Sequence, residues 1–249
     1  MHPWWPAALP IHPHFLLESI GYAVAWRLFL RDRAAHDPLA DPMQRATLLT
    51  AGVVGGAIGA KLSWWLEDPV ATWTHLTDVA FLMQGRSIIG ALLGALWSVE
   101  LGKLLMGVRI ATGDAYVRAI GYGLAIGRVG CFLAGTTDGT HGLPTSLPWG
   151  MDLGDGVLRH PTALYEIVFV LVLTTLCHRW SAPREGDRFK AWMIGYLCWR
   201  LLIEPLKTQP ALWLGLSGLQ WQCLAGLAYY AVVLARRWRS TSAAGGTLP

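Results

Sequence analysis

AIGYGLAIGRVGCFLAG, residues 119–135, is apolar and glycine-rich throughout except for one charged residue, Arg128. Its length is close to the ~20 residues a helix needs to cross ~30 Å of hydrocarbon. An unpaired guanidinium inside such a helix costs on the order of 2.5–3.5 kcal/mol by insertion scales, and more by simulation. The stretch thus points to a membrane-spanning helix and asks what compensates Arg128.

The rest of the chain carries the same signal. Of 249 residues, 53% are hydrophobic and 14% charged, and the mean hydropathy is +0.39. Soluble domains average roughly 25% charged residues. Seven apolar spans of 16–21 residues can be drawn: Phe15–Leu30, Thr47–Leu66, Ile88–Val108, Ala119–Gly135, Thr162–Cys177, Ala191–Leu206 and Leu216–Ala235. The predicted fold class is an all-α polytopic membrane protein with seven transmembrane helices. No internal repeat or linker divides it, so residues 1–239 are expected to form one transmembrane domain. The small, polar residues 240–249 are expected to form a flexible tail.

Basic residues give the orientation. With the N-terminus outside, the inward loops hold Arg31, Arg33, Arg45, Lys103, Arg109, Arg118, Arg179, Arg184, Arg188, Lys190, Arg236, Arg237 and Arg239, and the outward loops only Arg86, Arg159 and Lys207. Thirteen against three is a clear positive-inside bias and puts the C-terminus in the cytoplasm. The pI near 9 is then a topology signal, and nothing points to nucleic acid. The first 26 residues lack Lys and Arg, so the first span is expected to be a retained helix and not a cleaved signal peptide. Cysteines 131, 177, 198 and 223 lie inside spans without a C-x-x-C, which predicts buried, inert thiols and no metal site. Tryptophan pairs such as Trp4/Trp5 and Trp64/Trp65 fall near expected interfaces, as in an aromatic belt.

Ionisable residues inside spans are functional candidates by default. Several have an ordinary explanation: Arg27 and Lys61 can snorkel, Glu18 lies one turn from a span end, and Glu100 with Lys103 fits an i,i+3 pair. Three constellations exceed that. Around Arg128, Gly123, Gly127, Gly130 and Ala134 make a side-chain-poor face, open to close approach by a helix or a lipid head group. A structural ion pair would satisfy Arg128; an anionic ligand such as phosphate would suit its fork geometry. Tyr196, Arg200 and Glu204 share one helix face at i, i+4, i+8, with Pro205 expected to interrupt or end the helix and Lys207 just beyond. In RHPTALYE (159–166), Pro161 fits the first helical position, placing Arg159 and His160 at the outer mouth and Tyr165 and Glu166 about a turn inside.

GRVGCF (127–132), LRHPTALYE (158–166) and GYLCWRLLIEPLK (195–207), in this order, resemble the prolipoprotein diacylglyceryl transferases. The resemblance implies a seven-span enzyme of the bacterial inner membrane that moves diacylglyceryl from phosphatidylglycerol to a cysteine thiol of a lipoprotein precursor. No cofactor is expected. Arg128 and Arg200 match the family's arginines, Glu204 a carboxylate, Gly139 a loop glycine and Gln222 a polar position of the last span. The expected catalytic residues are Arg128, Arg200, Glu204 and His160. Expected to bind substrate are Gly127, Gly130, Gly139, Arg159, Tyr165, Tyr196 and Gln222. Departures from the pattern stand at Cys131 (family Asn), Thr136 (an acid), Ile89 (a histidine) and the Gly55–Ala60 run, which lacks an Arg and a Tyr. A transferase with another acceptor or donor, and a lipid-binding paralogue without catalysis, therefore remain beside the first reading.

Overall fold

The computed structural model describes residues 11–36, 39 and 41–245, and the side chains of all of these except 34–36, 138 and 240–245. Helices α1 (Pro13–His36), α2 (Pro42–Glu67), α3 (Pro69–Thr74), α4 (Val79–Met83) and α5 (Ile88–Leu105) are followed by α6 (Val117–Ala134). Then come the short strands β1 (Met151–Asp152) and β2 (Leu158–Arg159), α7 (Thr162–Arg179), α8 (Asp187–Ile203), strands β3 (Ala211–Trp213) and β4 (Leu216–Ser217), and α9 (Gly218–Gly245). Each of the seven expected spans lies mostly on a helix, though residues 106–108 and 204–206 lie beyond the ends of α5 and α8 and Leu216–Ser217 form a strand. Among the described residues, five segments are both long and apolar enough to cross a membrane: Pro42–Glu67, Ile88–Leu105, Asp114–Thr137, Thr162–Arg179 and Gly218–Arg239. The other two expectations rest on α1, which also carries Glu18, Arg27 and Arg31–Arg33, and on α8, only 17 residues long. The expected tail begins within α9, which continues to Gly245; residues 246–249, like Trp4 and Trp5, lie outside the described residues.

The chain forms two compact units, each assembled from stretches far apart in sequence, which is why no linker marks their boundary. The first comprises residues 1–39 and 110–209, the second 40–109 and 210–249.

In the second unit α2 and α5 meet along glycines. A side chain at Gly59 would run into the Gly90 carbonyl, and one at Gly94 into the Gly55 carbonyl. Gly55/Gly59 and Gly90/Gly94 are thus reciprocal small-xxx-small notches that let the two backbones touch. Gly94→Leu is expected to part the helices and cost about 1–3 kcal/mol, read as a lower melting temperature in detergent. Gly127→Ala, where a Cβ meets nothing within 4 Å, is the contrast and should not lower it. The Lys61 ammonium sits 2.6–3.2 Å from the carbonyls of Leu82, Met83, Gln84 and Gly85, tying down the end of α4. Lys103 and Glu100 form the expected i,i+3 pair at 2.9 Å.

In the first unit α6 is central, packed by α1 on one side and α7 on the other. Gly123 and Gly130 lie against α1, where a side chain would press on Ala25 and on the His14 backbone, and Gly121 lies against Thr174 of α7. Asp114 accepts from the backbone N–H groups of Gly186 (2.8 Å) and Phe189 (3.0 Å), joining the start of α6 to the start of α8. Trp192 of α8 donates to Thr174 at 2.9 Å and stacks on Tyr196. One expectation about thiols is corrected. Cys131, Cys177 and Cys223 are buried, but Cys198 is exposed. It stands two residues from Tyr196, about 200° round the helix, and so leaves the buried face.

Candidate functional site

Arg128 is compensated by Glu166. Glu166 sits one turn into α7, fully buried, and its Oε1 lies 3.0 Å from Arg128 Nε. The approach is off the N–H direction, so this is an ion pair without a hydrogen bond. The same oxygen accepts from Tyr196 Oη at 2.7 Å and Arg200 Nη1 at 3.3 Å. Oε2 accepts from Arg200 Nη1 at 3.4 Å and lies 3.5 Å from Lys207 Nζ. Arg200 Nη2 donates to Glu204 Oε2 at 3.2 Å.

Local structure explains how α8 supplies so much of this. Positions 196, 200 and 204 lie one turn apart on one face. Pro205 ends the helix: regular α structure stops at Ile203, and Glu204–Leu206 form a single tighter turn. That turn brings Lys207 back toward α7. Lys207 is also held by its backbone, which bridges to Gly142, while Leu143 donates to the Leu206 carbonyl at 2.8 Å. A Cβ on Gly142 would strike the His160 carbonyl, so this crossing needs glycine. The resulting cluster contains three cations (Arg128, Arg200, Lys207) and two carboxylates (Glu166, Glu204), all buried. Among the described residues its formal charge is one positive in excess, in surroundings where an uncompensated charge is costly.

On the other side of Arg128, its Nη1 lies 3.5 Å from Cys131 Sγ, and that sulfur lies 3.4 Å from His14 Nδ1 of α1. His14 Nε2 is 3.9 Å from Glu18 Oε2, and Glu18 accepts from Tyr22 at 2.7 Å. Cys131 also lines a cavity of about 10 Å³, with Gly135, Thr140, His141 and Thr162 among its neighbours. Such a space holds about one water.

Of the residues expected from sequence, Arg128, Tyr196, Arg200 and Glu204 come together. The RHP residues gather separately. Arg159 binds Asp155 through Nε and Nη2, both at 2.8 Å, and reaches the Gly142 carbonyl at 3.3 Å. The hydrogen bond from Arg159 holds the Asp155 carboxyl below the usual carboxylate range. Asp155 itself sits in a turn organised by Asp152, whose Oδ1 accepts from the N–H groups of Gly154, Asp155 and Gly156. His160 Nδ1 is 3.4 Å from Tyr165 Oη, which accepts from Trp149 Nε1 at 2.8 Å. Pro161 caps α7, which begins at Thr162, so it stands one position earlier than expected. Gly139 has φ +66° and closes the turn after α6. Gly130 packs on α1, whereas Gly127 faces open space. Gln222 belongs to the second unit, where its side chain bonds Ser63.

Glu166 and Lys207 were within the sequence motifs but not among the expected site residues. Their signal was polarity at a span end, which interfacial anchoring explains equally well. His14 and Cys131 gave less warning, because their proximity depends on how α1 crosses α6.

These features define a multi-pass membrane protein with a buried, cation-rich site. The chain belongs to the prolipoprotein diacylglyceryl transferase family, whose model matches residues 5–236. It is similar to the phosphatidylglycerol–prolipoprotein diacylglyceryl transferase of Paracidovorax citrulli, 31% identical over 88% of this chain and 90% of that protein. The protein of the same name from Methylococcus capsulatus is 28% identical over 94% of each chain. That from Bordetella parapertussis is 30% identical over 89% of this chain and 90% of its own length.

Proposed function

We propose that this protein transfers diacylglyceryl from phosphatidylglycerol to the cysteine thiol of a lipoprotein precursor, releasing glycerol phosphate. The observation that carries the reading is the excess positive charge of the Arg128–Glu166–Arg200–Glu204–Lys207 cluster. One further anion neutralises it, and a phosphodiester fits the fork of a guanidinium. In the reaction the thiol sulfur forms a bond to the glyceryl carbon while the carbon–oxygen bond to phosphate breaks. The leaving phosphate gains negative charge as the thiol proton departs. Cations already in place stabilise that developing charge without reorganising at the moment of reaction.

In this reading Arg128 and Arg200 hold the phosphate and Glu166 and Tyr196 set their positions. Glu204 orients Arg200, and Lys207 adds charge from the end of α8. Gly127, with nothing opposite it, gives the lipid head group close access to α6. Arg159, His160, Tyr165 and Gly139 are assigned to substrate entry and loop shape within the first unit, with His160 also a proton-transfer candidate; Gln222, in the second unit, is assigned to substrate binding by itself. The chain crosses the bacterial inner membrane seven times, with the N-terminus outside and the C-terminus in the cytoplasm. The positive-inside bias supports this, as does the placing of most of each expected span on a helix.

The test is transfer of labelled diacylglyceryl from phosphatidylglycerol vesicles to a cysteine-containing lipobox peptide by purified protein. A thioether-linked product is expected. Unmodified peptide at high protein concentration overturns the reading; retained binding of anionic lipid in that case would mark a lipid-binding paralogue.

A further inference from the structure

A thiol attacking carbon must shed its proton, so the site needs a base near Arg128. The carboxylates of the cluster are poor candidates: both Glu166 oxygens face cations and a hydroxyl, and Glu204 is bound to Arg200. Ile89 stands where the family pattern has its histidine. An imidazole that the fold brings close to Arg128, through Cys131, is that of His14. Its Nδ1 reaches Cys131 Sγ, which touches Arg128, and its Nε2 faces Glu18, itself steadied by Tyr22.

From this juxtaposition we infer that His14 is the general base for the acceptor thiol, with Glu18 as the residue that positions it. This rests on the transferase reading above. One imidazole nitrogen already lies 3.4 Å from a sulfur, that of Cys131, and a carboxylate, Glu18, stands 3.9 Å from the other, close enough to stabilise the imidazolium that forms. The side chain of His14 is 33% exposed, so an incoming thiol can reach it, whereas Cys131 is buried beneath it. Among the described residues, the titratable groups in contact with His14 include Glu18 from α1 and Cys131 from α6, with Arg128 of α6 behind Cys131. An imidazole is a general base suited to take a thiol proton. The acceptor's S–H proton passes to the imidazole as the sulfur–carbon bond forms. The glycerol phosphate leaves with the electron pair of the broken carbon–oxygen bond, and its charge stays beside Arg128.

The experiment is the vesicle-to-peptide transfer assay run across pH 6–9.5 with wild-type protein, His14→Gln and Glu18→Gln. A free thiol is a few per cent thiolate at pH 7, so a reaction without its base draws only on that fraction. His14→Gln should therefore lose roughly 30-fold in kcat at pH 7, with KM for the lipid within about 3-fold. Most of the rate should return by pH 9.5, above the ordinary thiol pKa of about 8.5. Should His14→Gln fail to fold, Glu18→Gln carries the test, with a loss of about 10-fold that likewise recovers at high pH. A mutant profile parallel to wild type, whether unchanged or uniformly lowered, overturns the assignment of His14. No transfer by the wild-type protein at any pH instead overturns the transferase reading.

Discussion

Glu166→Gln is expected to destabilise the protein by about 3–5 kcal/mol, the cost of removing one partner from a buried ion pair. Glu166 is fully buried and faces Arg128, Arg200 and Lys207 at 3.0–3.5 Å. The amide keeps the shape and can still accept from Tyr196, but it removes one of two carboxylates serving three cations. The excess charge of the cluster then doubles in a region with little water to screen it. The measurement is thermal unfolding in detergent, with yield of monodisperse protein as a second readout. Glu166→Asp keeps the charge and should recover part of the loss. Equal stability of Glu166→Gln and wild type would mean that the cluster is balanced by something other than this carboxylate.

Arg128→Lys is expected to lower kcat/KM for diacylglyceryl transfer by about 10²–10³, the range for removing one preorganised donor from a site of developing negative charge. The substitution keeps the charge, so insertion and melting temperature should stay near wild type. Geometry is what it removes. A guanidinium can pair with Glu166 through one edge and present another to a phosphate, whereas a shorter ammonium is a point charge without that fork. Arg200→Lys should behave similarly, because Arg200 bridges Glu166 and Glu204 by two different nitrogens. Normal turnover by Arg128→Lys, with lipid binding unchanged, would make Arg128 a structural residue only.

The amino-acid sequence by itself determined the helical, membrane-embedded class, because five of the helices are announced by runs long and apolar enough to span a bilayer. It also determined the face of α8 that carries Tyr196, Arg200 and Glu204, since helix period and Pro205 are local properties. The presence of a charge needing compensation at Arg128 was equally plain. Its partner was not, because Glu166 lies on another helix, in a motif whose polarity an interfacial anchor would also explain. The glycine-rich face of α6 shows the same division. Sequence spacing could not say whether a helix or a lipid approaches it; the fold gives Gly123 and Gly130 to α1 and leaves Gly127 open. The meeting of His14 with Cys131 was likewise decided only by tertiary structure. Helix periodicity fixes which residues share a face, but which faces meet depends on packing between helices far apart in the chain.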